Sequence, residues 1–254
     1  MSEPTATPAT APLLPPLYNA LEPLSPQRHA ALRLRHGDYT FAAGISAIPL
    51  AAEEFAAASR HYPIVFTTAM PHMPMALMSL LADINTFVDA NGAWQPGKYI
   101  PAYLRRFPFF LAQMAEGRDE MALCMDTSAT QASSTEGEVL FGADGKPTPF
   151  LDQAFAFCRS LEAAMQQTLA LSNVLTGLNL LQPAAMQFEQ NGKPTKIDGF
   201  HAIQRDAFAT LPAEKLAELR DNGVLDLIYA HFTSMGAMQE LAARSAARAR
   251  PLVG

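Results

Sequence analysis

From Phe150 to Leu181 the chain contains no proline, although 20 prolines are spread through its 254 residues. Within this stretch Leu151, Ala154, Phe155, Cys158, Leu161, Met165, Leu169 and Val174 recur at three- and four-residue steps. That spacing puts them on one face of a long amphipathic helix. Asp152 suits its positive end and Gly177 its close. A helix with so long an apolar stripe must lie against another layer, and the remaining sequence has to supply that layer as strands.

The strand signals are short and punctuated. Asp38–Ala47 carries aromatic and β-branched residues and predicts a strand. Pro49 opens a helix that runs to about Arg60, and Pro63–Thr67 predicts a buried strand. Strand, helix and strand in that order suggest a crossover that leaves two strands parallel. Met75–Leu81 is ambiguous between strand and helix. Asn91-Gly92 is a tight-turn signal, with Val88 and Trp94 facing each other across it. Pro101–Arg106 reads as one helical turn. Pro108–Ala112 and Glu120–Asp126 read as strands joined through Glu116–Asp119, and 127–136 as a loop. Ala185–Glu189 and Thr195–Ile203 flank Asn191-Gly192 as a hairpin. Pro212–Asn222 is a helix closed by Gly223, and Leu225–Arg248 another. The expected class is α+β. A central, mostly antiparallel sheet drawn from 38–141 and the 185–203 hairpin carries the long helix and the C-terminal helices. Residues 1–27 are expected to form a disordered or extended arm and 28–248 a single domain, with a possible lobe boundary near 149.

Composition narrows the function classes. Hydrophobic residues make up 49% and charged residues 17%, which favours a globular chain. A net charge of -6 argues against a nucleic-acid binder. Cys124 and Cys158 are too few for a disulfide framework and read as small buried hydrophobes in a reducing compartment. The opening residues lack a basic segment followed by an apolar core. The apolar runs Pro74–Ala82 and Leu169–Leu181 are too short or too polar to span a bilayer. The expectation is a cytoplasmic protein without a membrane span.

Chemical fingerprints are sparse. Neither a phosphate-binding glycine loop nor a serine nucleophile elbow stands in the sequence. His36-Gly37-Asp38 with His201 or His231 has the letters of a two-histidine, one-carboxylate iron site, and His72 lies among Met70, Met73 and Met75 as a soft-metal cluster would. Such letter sets arise by chance, and the expectation is no metal and no cofactor. His231, on a helix with Tyr229 and Ser234, suits either acid–base chemistry or a structural hydrogen bond. Arg244, Arg248 and Arg250 suit the negative end of the last helix.

The most specialised window is 91–110. It holds the only tryptophan of the chain together with Tyr99, Tyr103, Phe107, Phe109, Phe110 and the pair Arg105-Arg106. Guanidinium groups beside tyrosines bind carboxylate or phosphate through two parallel hydrogen bonds and stack on rings. The alternative is one arginine paired internally and the other solvated. Tyr99, Tyr103, Arg105, Arg106 and, separately, His231 are the expected ligand-binding residues.

Several segments together, His61–Phe66, Asn85–Trp94, Tyr99–Phe109, Gly142–Gly145, Ile197–Phe200 and Ile228–Met235, resemble in order and spacing the SapC-like family, named for a gene associated with bacterial surface layers. The resemblance covers roughly 28–243, and Tyr99-Ile-Pro-Ala-Tyr-Leu-Arg-Arg-Phe-Pro-Phe109 is its most specific piece. It implies a bacterial source and a link to a surface layer. Members are also met near genes for TonB-dependent receptors and flavin-dependent halogenases. It supplies no set of catalytic residues. Three functions follow as expectations. The first is a non-enzymatic binding or accessory protein engaging a peptide, protein or small-molecule ligand near 94–109. The second is an enzyme or enzyme partner in tailoring chemistry with a histidine site. The third is a surface-layer or export factor.

Overall fold

The computed structural model describes residues 14–113, 121–190 and 193–249. The opening 13 residues, the expected turn at Glu116–Asp119 and the Asn191-Gly192 turn lie outside them. The class is α+β, and every strand pairing among the described residues is antiparallel.

The N-terminal segment joins the fold early. Strand β1 (Leu21–Pro23) pairs with a strand a hundred residues later, a short helix α1 (Pro26–His29) follows, and β2 (Arg33–Leu34) comes next. The expected strand over 38–47 is instead a 3-10 turn at Thr40–Ala42 followed by β3 (Ala47–Pro49). Asp38 accepts from the Thr40 amide and hydroxyl, which favours a turn over an extended chain. Helix α2 (Phe55–Ala58) leads to β4 (Ile64–Phe66), and Met75–Leu81 resolves as the strand β5 (Pro74–Leu77). β3 and β4 both pair with β5 and flank it. They run the same way but never touch as a pair, so the expected parallel crossover is replaced by an antiparallel arrangement.

The turn at Asn91-Gly92 forms with Val88 opposite Trp94. Gly92 has φ +79°, and a Cβ there would meet the Thr40 hydroxyl at 2.4 Å, so this position requires glycine. The single helical turn α3 (Ala102–Arg105) precedes the hairpin strands β6 (Phe109–Gln113) and β7 (Met121–Asp126). With β1 they make a three-stranded sheet. The two-residue strands β8 (Ala132–Ser133) and β9 (Glu138–Val139) sit on either side of β2.

The proline-free stretch is one helix, α4 (Pro149–Gly177). Pro149 occupies its first turn, the Thr148 hydroxyl accepts from the Leu151 amide at 3.4 Å, and Asn179 takes the left-handed conformation beyond its end. Strands β10 (Leu181–Gln190) and β11 (Lys193–Ile203) pair from Leu181↔Ile203 to Gln190↔Lys193. They extend the sheet of β4, β5 and β3 to five strands through His201↔Phe66. Helices α5 (Arg205–Ala209), α6 (Ala213–Asp221), α7 (Val224–Ser234) and α8 (Met238–Arg248) finish the chain. The expected continuous helix from 225 to 248 is interrupted by a 3-10 turn at Met235–Ala237. There the Ser234 hydroxyl donates to the His231 carbonyl and accepts the Ile64 amide, tying the break to β4.

Of the four apolar clusters among the described residues, two are large. The larger includes Ile48, Phe55, Tyr62, Phe66, Trp94, Leu104, Leu180 and Ile228, and lies between the five-stranded sheet and the C-terminal helices. The smaller holds Leu34, Phe109, Leu111, Met125, Leu140, Leu151 and Cys158, and fixes the first half of α4 over β6 and β7. The end of the 91–110 window lies between the two.

Candidate functional site

Arg105 and Arg106 are adjacent in sequence and differ in environment. One residue advances a helix by about 100°, so successive side chains leave α3 in different directions. Arg105 points to the surface. Its Nε donates to the Ile100 carbonyl at 3.1 Å and its Nη2 to the Tyr99 hydroxyl at 3.4 Å, while its guanidinium lies 5.2 Å from the Phe157 ring of α4. Arg106 is 5% exposed. Its guanidinium carbon lies 4.1 Å from the Tyr103 ring centre, 4.5 Å from Phe110 and 5.8 Å from Tyr18. Its Nε is buried without a hydrogen-bond partner. Among the described residues no ion pair includes either arginine. Buried cations are ordinarily paired with an anion, so Arg106 is an exception.

The cage around Arg106 is assembled from distant segments. The Tyr18 hydroxyl donates to the Phe109 carbonyl at 2.7 Å, and the Tyr103 hydroxyl to the Pro16 carbonyl at 3.0 Å. Burial pushes both phenols above the ordinary tyrosine range, and the Arg106 charge opposes the rise.

Both arginines line a cleft of about 200 Å³ between α3, β2 and the start of α4. Its walls are mainly aromatic, from Phe107, Phe109, Phe150 and Phe157, and its rim carries His36 and Gln153. The His36 ring meets Phe150 edge-on at 5.4 Å. Cys158 lies at the base, where burial lifts its thiol to about 11 against the pull of Arg106. No Asp or Glu is among the lining residues. In a chain of net charge -6 this is a locally positive concavity.

Tyr99 is tied to the site through a residue the sequence did not single out. Glu54 is buried and accepts from the Ala51 amide at 2.9 Å, the Ala102 amide at 2.7 Å and the Tyr99 hydroxyl at 2.9 Å. Burial, followed by the Glu54 charge, raises the Tyr99 phenol to about 12. Glu54 thus sets the start of α3 and hence the aim of both arginines. In sequence it reads only as an acid in a first helical turn, and no local signal reveals its partners 45 and more residues away.

The other candidates fall elsewhere. His231 is 1% exposed in the larger core. Its Nε2 accepts the Ile203 amide at 3.2 Å and its Nδ1 donates to the Ile64 carbonyl at 2.9 Å, so the ring bridges β11 and β4. Burial lowers its pKa to about 4. His72 donates to the Thr67 carbonyl and lies 4.5 Å from the His201 ring. Among the described residues no group of three or more His, Cys, Asp or Glu is placed to hold a metal ion. Trp94 is buried beside Tyr39 and Phe87, away from the cleft lining. Arg244 and Arg248 act by contact as well as by charge. Arg244 donates to the Gln95 side chain at 2.6 Å and Arg248 to the Val88 carbonyl at 2.7 Å, so α8 clamps the turn around Trp94.

Fold and site together define an α+β protein that carries a small aromatic cleft with unneutralised arginines. A family model described as SapC matches residues 24–241, most of the chain, and the chain belongs to the SapC family. No curated protein matches it, and no solved structure does. Among the described residues no helix is long and apolar enough to cross a membrane.

Proposed function

We propose that this chain is a non-enzymatic binding or accessory protein that engages a peptide, protein or small ligand through the cleft lined by Arg105 and Arg106, with Tyr99 and the buried Tyr103 packed outside its lining as supports for the two guanidiniums. The observation that carries this is the pairing of two guanidiniums, one of them buried, with an aromatic cleft that offers them no carboxylate. Burying a charge without an internal counter-ion is costly, and a ligand that brings the counter-ion repays it. The nucleophile nearest at hand also favours binding over chemistry, because a thiol raised to about 11 stays protonated at neutral pH. His231 is left out of this surface, since both its ring nitrogens are engaged in the core.

The test is affinity capture from the native organism with the wild-type chain and with the Arg105→Ala and Arg106→Met variants. Partners retained by the wild type and lost by both variants support the proposal. Identical partners on all three remove the site.

A further inference from the structure

We infer that the cleft takes a carboxylate carried on a small aromatic or similarly flat apolar body, with the acid group against Arg106 and Arg105 and the ring between Phe150 and Phe157. This rests on the binding function proposed above and specifies its ligand. Three features select that chemistry. The cleft is about 200 Å³, below the roughly 300–1,000 Å³ of sites for drug-sized ligands. It therefore holds a compact acid or one terminal residue rather than a nucleotide. Its walls are aromatic, so the body of the ligand must be apolar to gain from burial.

The third feature concerns the charge. Arg105 already uses its Nε and one Nη on Ile100 and Tyr99, and in the first turn of α4 the Leu151 amide is taken by the Thr148 hydroxyl and the Asp152 amide by the Thr148 carbonyl, which leaves the Phe150 amide alone among them. Pro149 has no amide to offer. Few donors are thus available, which suits a singly charged, weakly hydrated carboxylate over a phosphate dianion that needs its shell of donors replaced. Asp152, exposed in the first turn of α4, adds a negative charge nearby that further disfavours a dianion. Arg106 supplies the independent sign of a ligand, being a buried cation that lines the cleft with a buried polar atom left unpaired.

An aromatic carboxylate has two natural sources, a free acid and the C-terminal residue of a partner protein. Equilibrium titration of the full chain, followed by calorimetry, separates them. The probes are phenylacetate for the free acid and N-acetylphenylalanine for the chain terminus. The controls are phenylacetamide, acetate and inorganic phosphate. The expected result is saturable binding of at least one aromatic acid at millimolar concentration or below, with phenylacetamide and acetate at least about tenfold weaker. Tighter binding of N-acetylphenylalanine than of phenylacetate identifies a protein terminus, and the reverse order a free acid. Arg106→Met is expected to weaken the acid about tenfold or more, and the exposed Arg105→Gln by a smaller factor with the fold intact. Phosphate binding tighter than either acid, equal binding of acid and amide, or no saturable binding of either acid overturns the inference. In that case captured partners that still depend on Arg105 and Arg106 leave the binding function standing with a different ligand, and partners that do not depend on them remove both.

Discussion

Replacing Arg106 with methionine separates a guanidinium that waits for a ligand from one that holds the fold together. Methionine keeps an unbranched, similarly long stem in the cage of Tyr18, Tyr103 and Phe110 but removes the charge. The wild-type residue gains from cation–π contacts at 4.1, 4.5 and 5.8 Å. At about 1–2 kcal/mol for each of the two rings within 4.5 Å, the loss is about 2–4 kcal/mol. Against this stands the cost of a buried cation without a carboxylate. The unpaired Nε alone costs about 1–3 kcal/mol, and breaking even on the desolvated charge usually requires a partner anion. The methionine sulfur recovers about 0.3–1.5 kcal/mol on the rings. The terms nearly cancel, and the variant is expected to lie within about 1 kcal/mol of the wild type, or slightly above it. In a chain of this size that is a shift of about 2–4 °C in Tm. Urea unfolding of the ligand-free protein, with calorimetry alongside, measures it. A loss beyond about 3 kcal/mol with an unchanged m-value would instead make the guanidinium an indispensable part of the core. Arg106→Ala is a poorer test, since the cavity it leaves destabilises under either account.

Three further outcomes follow from the same contacts. Glu54→Gln is expected to lower stability by about 2–4 kcal/mol, because an amide cannot accept all three donors that converge on the carboxylate, and to bring the Tyr99 phenol down from about 12 toward the ordinary range; chemical denaturation and ultraviolet pH titration read the two effects, and unchanged stability removes Glu54 as the anchor of α3. His231 is neutral in the fold with a pKa near 4, whereas the unfolded chain takes up its proton around 6.5, so its contribution to stability is complete above about pH 6.5 and is lost as pH falls toward 4; melting curves across that window should slope downward in the wild type and less steeply in His231→Gln, and parallel slopes would show that other groups dominate. Gly137→Ala is expected to cost at least about 1–3 kcal/mol, since a Cβ at φ +106° would meet the Leu34 carbonyl oxygen at 2.2 Å and push β9 off β2 at the edge of the cleft; a thermal melt matching the wild type would contradict the close approach.

Elements whose cause is local could be read from the residues alone. The proline-free apolar stripe from 150 to 181 became α4 because helical periodicity and a Thr-Pro start act within a few residues of each other. The Asn91-Gly92 turn, the helical turn after Pro101, the pairing of β10 with β11 and the stop at Gly223 are of the same kind, each set by a backbone preference that neighbouring residues express alone. The family signature in 99–109 also pointed to the window where the cleft lies. Tertiary structure alone decided how the strands divide into three sheets, because β3 and β4 meet β5 rather than each other and nothing in their own residues encodes a partner. It also decided which of two adjacent arginines is buried. Tyr18 arrives from the N-terminal segment, Phe110 from β6 and Phe157 from α4, and Glu54 aims the turn from across the chain. His231 shows the converse: the residue type permits chemistry, and only its contacts with Ile64 and Ile203 make it a strut between strands. Contacts of this range depend on where the whole chain has placed its segments, so the buried charge on which the proposed site rests becomes legible only after folding.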